Sequence, residues 1–107
     1  MTMHTTVTTV GGSTVVALDG TVDLASVGTL HSDLSRVVRR HPGVVLLVDL
    51  DAIDTLDDSG LGVLLGAAAA ARELGGDLEV VCSRPALLER FRRSRFDRAV
   101  TVRSTIT

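Results

Sequence analysis

The feature that most constrains this chain is a strand-to-helix junction. A nearly continuous aliphatic run, Val44 to Asp49, leads to Asp57-Asp58-Ser59-Gly60-Leu61-Gly62-Val63-Leu64-Leu65-Gly66 and then into an Ala-rich segment. An aliphatic run without polar alternation is the pattern of a strand buried on both faces. Beyond it, Leu61, Leu64, Leu65, Ala68 and Leu74 recur at helical spacing, and Gly75-Gly76 ends the segment as a C-cap would. Two acids, a hydroxyl and a glycine therefore stand where a helix exposes unpaired N–H groups and the positive end of its dipole. Function is expected at this mouth.

Composition removes several chemistries. A chain of 107 residues has room for one core, and not for a substrate domain beside a cofactor domain. With 45% hydrophobic residues and a net charge of -2, it is expected to fold without general affinity for polyanions. All 11 Lys/Arg positions are Arg, and Lys, Asn, Gln, Trp and Tyr are absent. A P-loop, a Ser-Lys hydrolase and a Schiff-base enzyme each need the missing Lys. Phe91 and Phe96 are the only aromatics, too few for a base-stacking platform, so no direct nucleic-acid binding is expected. His4, His31 and His41 lack metal-ligand spacing, no Ser-His-acid set stands out, and the lone Cys82 reads as a small core residue. Neither a cofactor nor a metal is expected. No apolar run reaches membrane-spanning length and no signal sequence opens the chain, so a cytoplasmic location is expected.

In chain order, Met3 to Val10 reads as a strand, Gly11-Gly12-Ser13 as a hairpin turn and Val15 to Leu18 as the second strand. Asp19 to Asp23 reads as an irregular connection in which Asp23 caps a helix. In that helix Val27, Leu30, Leu34, Val37 and Val38 share one face, Arg36, Arg39 and Arg40 suit its C-terminal dipole, and His41-Pro42-Gly43 stops it. After the central junction, Asp77 to Cys82 gives a fourth strand. Ser83 is expected to cap a third helix that has Pro85 in its first turn and Leu87, Leu88 and Phe91 inside. The arginines after Pro85 read as a solvated face. Ala99 to Val102 makes a last short strand, and Arg103 to Thr107 is expected to fray, leaving an ordered core of about residues 5 to 103. The order β-β-α-β-α-β-α-β, without linker or repeat, predicts one α/β domain with a mixed sheet covered by helices.

The residues Asp49-Leu50, Ile53, Leu56, Asp57, Ser59-Gly60-Leu61-Gly62 and Gly75-Gly76 before a strand resemble the STAS domain of bacterial anti-sigma factor antagonists. Leu18-Asp19-Gly20-Thr21-Val22-Asp23 matches that family's early segment, and the likeness runs from about Val15 to Val102. The resemblance implies a non-enzymatic partner switch: binding to an anti-sigma factor that is itself an ATP-dependent serine kinase, release of a sigma factor, and an end to binding on phosphorylation. It implies partner contacts at Asp57, Asp58, Ser59, Gly60, Leu61 and Gly62, with Asp23 nearby; the sequence leaves the oligomeric state open between a monomer and a weak dimer. Family members carry a hydroxyl directly after the first Asp as phosphate acceptor. Here Asp58 occupies that position and Ser59 the next. Either Ser59 takes the phosphate, or Asp58 is a permanent single charge and an incomplete mimic of phosphoserine.

Simpler roles compete with these. Asp58 or Ser59 suffices as a plain N-cap, Gly60, Gly62 and Gly66 as points of close helix-sheet approach, and Asp19 and Asp23 as turn and cap residues. The glycines opening the helix, with Glu79 about 20 residues on, also resemble a dinucleotide-binding turn, against which Asp57 and Asp58 would repel a pyrophosphate. A response-regulator reading with Asp49 as phosphoacceptor lacks the Lys that chemistry uses. Alternative functions are an accessory subunit docking on a transporter ATPase and a small nucleotide-binding module.

Overall fold

The structure, a computed structural model, describes residues 3 to 107. It is built on a five-stranded mixed sheet of order β1-β2-β3-β4-β5. The strands are β1 (Met3–Val10), β2 (Ser13–Val22), β3 (Val45–Leu56), β4 (Asp77–Val81) and β5 (Thr101–Arg103). Strands β1 and β2 pair antiparallel, with Val10 opposite Ser13. Gly11 and Gly12 both have positive φ, 55° and 84°, the backbone that a two-residue hairpin turn of matching twist requires. All later pairings are parallel.

Right-handed crossovers between strands that neighbour each other in sequence order place every connecting helix on the same face. The burial agrees. Val16, Leu18, Leu46, Val48, Leu50, Leu78 and Val80 join the inner sides of all the helices in one core. The opposite face has its own small cluster, Val15, Leu47 and Val81, packed against Ile106. The C-terminal tail thus does not simply fray as expected: Ile106 is half-buried over the sheet, and Arg103 reaches back to its carbonyl at 3.2 Å.

Strands β2 and β3 are longer than their sequences suggest. Asp19 to Val22 belongs to β2 and is not an irregular connection, and β3 continues well past Asp49 to Leu56. The pairing shifts register between Ala17 and Asp19 and again between Gly20 and Thr21, with β3 carrying the extra residue each time. These bulges turn the two-residue alternation into a three-residue one. Leu50, Ile53 and Leu56 are buried while the pairs between them are exposed, a spacing that hides a strand from a search for period two.

Helix α1 (Val27–Arg40) buries Leu30, Leu34, Val37 and Val38, as its stripe predicts. Helix α2 (Asp58–Glu73) buries Leu61, Leu64 and Ala68 together with Gly60, Ala67 and Ala71, whereas Leu65 and Leu74 are exposed. Its end is a Schellman motif: Gly76 N–H donates to the Ala71 carbonyl, Gly75 N–H to that of Arg72, and Gly75 has φ 83°. Helix α3 (Pro85–Arg93) has Pro85 in its first turn, but its N-cap position is Arg84. Ser83 instead donates to Asp51 at the end of the sheet, from its N–H at 2.7 Å and its hydroxyl at 3.1 Å. A short helix α4 (Phe96–Ala99), absent from the sequence reading, follows Arg95 in the left-handed region at φ 62° and takes Ala99 out of the last strand. Phe91 and Phe96 explain it. Their rings meet at 4.9 Å, so a turn between them seals the core.

Two glycines respond oppositely to a methyl group. A Cβ on Gly66, in the interior of α2, meets nothing within 4 Å, whereas one on Gly76 lies 2.1 Å from the Val44 carbonyl oxygen. In urea titrations Gly66→Ala is expected to raise stability by about 0.5–1 kcal/mol through helix propensity. Gly76→Ala is expected to lower it by roughly 1–3 kcal/mol through overpacking. Equal effects would refute this packing of the α2 C-cap.

Candidate functional site

Because β3 runs to Leu56, its last residue opens directly into α2. Asp57 N–H donates to the Val22 carbonyl at 2.8 Å, tying the ends of β2 and β3 together. Asp57, not Asp58 or Ser59, is the N-cap: its backbone is extended (φ -70°, ψ 156°), its carboxylate accepts from Ser59 N–H at 3.5 Å and its carbonyl from Gly60 N–H at 2.9 Å. Asp58 is then the first helical residue, where the dipole favours an acid. Gly60 is glycine for lack of room, since a Cβ would lie 2.7 Å from both Leu56 Cδ1 and Val22 Cγ1. Gly62 and Gly66 have no such neighbour, so the close-approach role falls to Gly60 alone among the three.

The structure brings the six expected contact residues together but faces them differently. Asp57, Asp58 and Gly62 are exposed, Ser59 is half-buried, and Gly60 and Leu61 belong to the interior. The Asp58 side chain is 90% exposed. The Ser59 hydroxyl is buried and has no hydrogen-bond partner. Ser59 is one of the residues lining a groove of about 500 Å³ between α1 and α2, with His31, Ser35 and Arg39 on one wall and Gly62, Val63 and Gly66 on the other. Asp23 follows Val22, which makes it a neighbour of the mouth, but its carboxylate is engaged. It accepts from Ala25 N–H at 2.9 Å and Ser26 N–H at 3.1 Å, capping the turn before α1.

One residue of the site escaped the sequence. Arg90 on α3 reaches across to the mouth of α2, where one guanidinium nitrogen donates to the Leu56 carbonyl and the other to Asp58 Oδ1 at 2.6 Å. Its position three residues after Leu87 and one before Phe91, both buried, puts it on the sheet-facing edge of α3, and that spacing was the available signal. Arg92, by contrast, pairs locally with Glu89 at 2.7 Å, and its hydrogen bonds hold the Glu89 carboxyl below its ordinary value. The arginines of α3 are therefore not uniformly a solvated face.

The competing chemistries find less support. Glu79 lies in the middle of β4 and pairs with Arg103 at 3.5 Å, away from the strand end where a ribose-binding acid belongs. Gly60 is buried against Leu56 and Val22, so this glycine is used for packing within the domain. Among the described residues, no group of three or more His, Cys, Asp or Glu side chains is arranged to hold a metal. No helix among the described residues is long and apolar enough to cross a membrane.

A sequence model of the STAS domain matches residues 4–107. The chain belongs to the STAS family. No curated protein matches it in sequence. Among solved structures, this STAS domain is similar to an anti-sigma factor antagonist from Mycobacterium paratuberculosis. The two are 25% identical with a TM-score of 0.85, and the match covers 97% of this chain and 87% of that one. An anti-sigma factor antagonist STAS domain protein from Planctomyces limnophilus is 17% identical with a TM-score of 0.80, covering 94% and 90% of the two chains. The antagonist SpoIIAA in its unphosphorylated form is 17% identical with a TM-score of 0.75, covering 94% and 89%. The last two likenesses speak for the fold.

Cys82, which directly follows β4, is fully buried. Burial pushes its thiol above the ordinary value; contact with the Arg84 backbone partly opposes this, and the charges of Asp51 and Asp49 add to it. A thiol reagent at mildly alkaline pH is expected to label Cys82 only as fast as the protein unfolds. The folded state holds this proton more tightly than the unfolded chain does. Its contribution to stability is therefore present below the ordinary thiol pKa and lost as pH rises through the folded value. Fast labelling of the native protein would contradict the burial.

Proposed function

We propose that this STAS domain is an anti-sigma factor antagonist that works by binding and without catalysis. Its partner is an anti-sigma factor of the serine-kinase type, and binding frees a sigma factor and so regulates transcription in the bacterial cytoplasm. The observation that carries this reading is the mouth of α2. Asp57 and Asp58 stand exposed, and Ser59 half-buried, on a strand-to-helix junction inside the region that matches the family, residues 4–107. The Mycobacterium relative, described as an anti-sigma factor antagonist, supports it over nearly the full chain.

The geometry favours one of the two forms that regulation could take. A kinase must reach a hydroxyl, and the Ser59 oxygen is buried, whereas the residue presented to solvent is Asp58. A carboxylate supplies one charge and no group to remove, so the surface is not switched by phosphate at position 58. Mixing the purified protein with the serine-kinase anti-sigma factors of its source organism and ATP tests both points. A stable complex is expected, with no phosphate on Ser59 by mass spectrometry, while Asp58→Ser is expected to become labelled at position 58. Failure of every such factor to bind would end the antagonist reading. Phosphate on Ser59 that Ser59→Ala removes would reinstate the hydroxyl switch.

A further inference from the structure

Two exposed acids stand on the surface assigned to partner docking, and an uncompensated charge there would oppose a protein approaching it. We propose that Arg90 is the built-in counter-ion of this surface. It cancels the charge of Asp58, keeps the mouth of α2 open to its protein partner and makes α3 part of the docking face. The proposal rests on the reading of that mouth as a docking surface.

The guanidinium is held from both sides of the β3–α2 junction, by the carbonyl of the last residue of β3 and the carboxylate of the first residue of α2. The Arg90 side chain is 28% exposed and that of Asp58 90%, so the cation is the anchored member and the acid the presented one. Arg93, one turn further along α3, lines a recess together with Asp58, Arg90 and Ser94, and has no ion-pair partner among the described residues. One carboxylate against two guanidinium groups leaves that recess with no net negative charge. An ion pair this exposed adds little to folding stability. What it changes is the field that an approaching partner meets.

A purely structural tie between α3 and β3 is the rival explanation, because Arg90 also holds the Leu56 carbonyl. A double-mutant cycle separates the two. Binding is measured by calorimetry between each variant and the purified serine-kinase anti-sigma factor that binds the wild type. Arg90→Gln is expected to weaken the complex about tenfold when Asp58 is present, while Arg90→Lys retains most of the affinity, and Asp58→Asn alone supplies the second background of the cycle. In the Asp58→Asn background the same Arg90→Gln change is expected to cost no more than about threefold, since the carboxylate that Arg90 balances is gone. Wild-type affinity in Arg90→Gln, or the same tenfold loss from Arg90→Gln in both backgrounds, would overturn the proposal.

A measurement without any partner keeps its failure apart from that of the functional reading. In nitrogen-15 NMR spectra, the Arg90 guanidinium signals are expected to be slowed in exchange and to move on Asp58→Asn. If they are indifferent to Asp58, the ion pair is absent and the proposal falls whatever binds. If they respond but no anti-sigma factor binds the wild type, the docking role falls with the functional reading while the pair itself stands.

Discussion

The parallel pairing of β2 with β3, carried past two bulges to Val22 and Leu56, is the constraint from which the rest of the site follows. It brings two strand ends level, so that the Asp57 N–H finds the Val22 carbonyl and α2 starts without a loop. It also brings the side chains of Val22 and Leu56 under the first turn of α2, which is why only glycine fits at position 60. A junction this short leaves little backbone to be ordered if a protein binds there. The bulges matter for the same reason. They add residues to β3 so that Leu50, Ile53 and Leu56 all face the helices while Asp54 and Thr55 stay in water.

The chemistry of the mouth is electrostatic and positional. Asp57 satisfies the first N–H groups of α2, Asp58 adds a charge that the dipole favours, and Arg90 closes on that charge from a different element. The Ser59 hydroxyl, by contrast, is buried and without a hydrogen-bond partner. Adjacent residues in a helix project about 100° apart, so the exposed position and the shielded one alternate with a single step along the chain.

The strands and helices of this protein were largely readable because each carries its own local evidence. The hairpin is written in Gly11-Gly12, the end of α2 in Gly75-Gly76, and the face of α1 in the spacing of Leu30, Leu34, Val37 and Val38. Where the reading fell short, the missing information was not local. The second half of β3 looked unlike a strand because its bulges exist only in register with β2. Ser83 looked like a cap because its partner, Asp51, lies 32 residues away, and α4 was invisible because it forms to let Phe96 meet Phe91.

The candidate site divides in the same way. By itself the sequence determined the mouth of α2 and its acidic character, since a strand, an acidic cap and an amphipathic helix are each decided within a few residues of backbone preference and side-chain period. Only the tertiary structure decided which residues face outward, that Asp57 is the cap, that the Ser59 hydroxyl is hidden, and that Arg90, 32 residues from Asp58, answers its charge. Side-chain burial and ion pairing depend on what other elements bring to the same point in space, and no window along a chain contains that information.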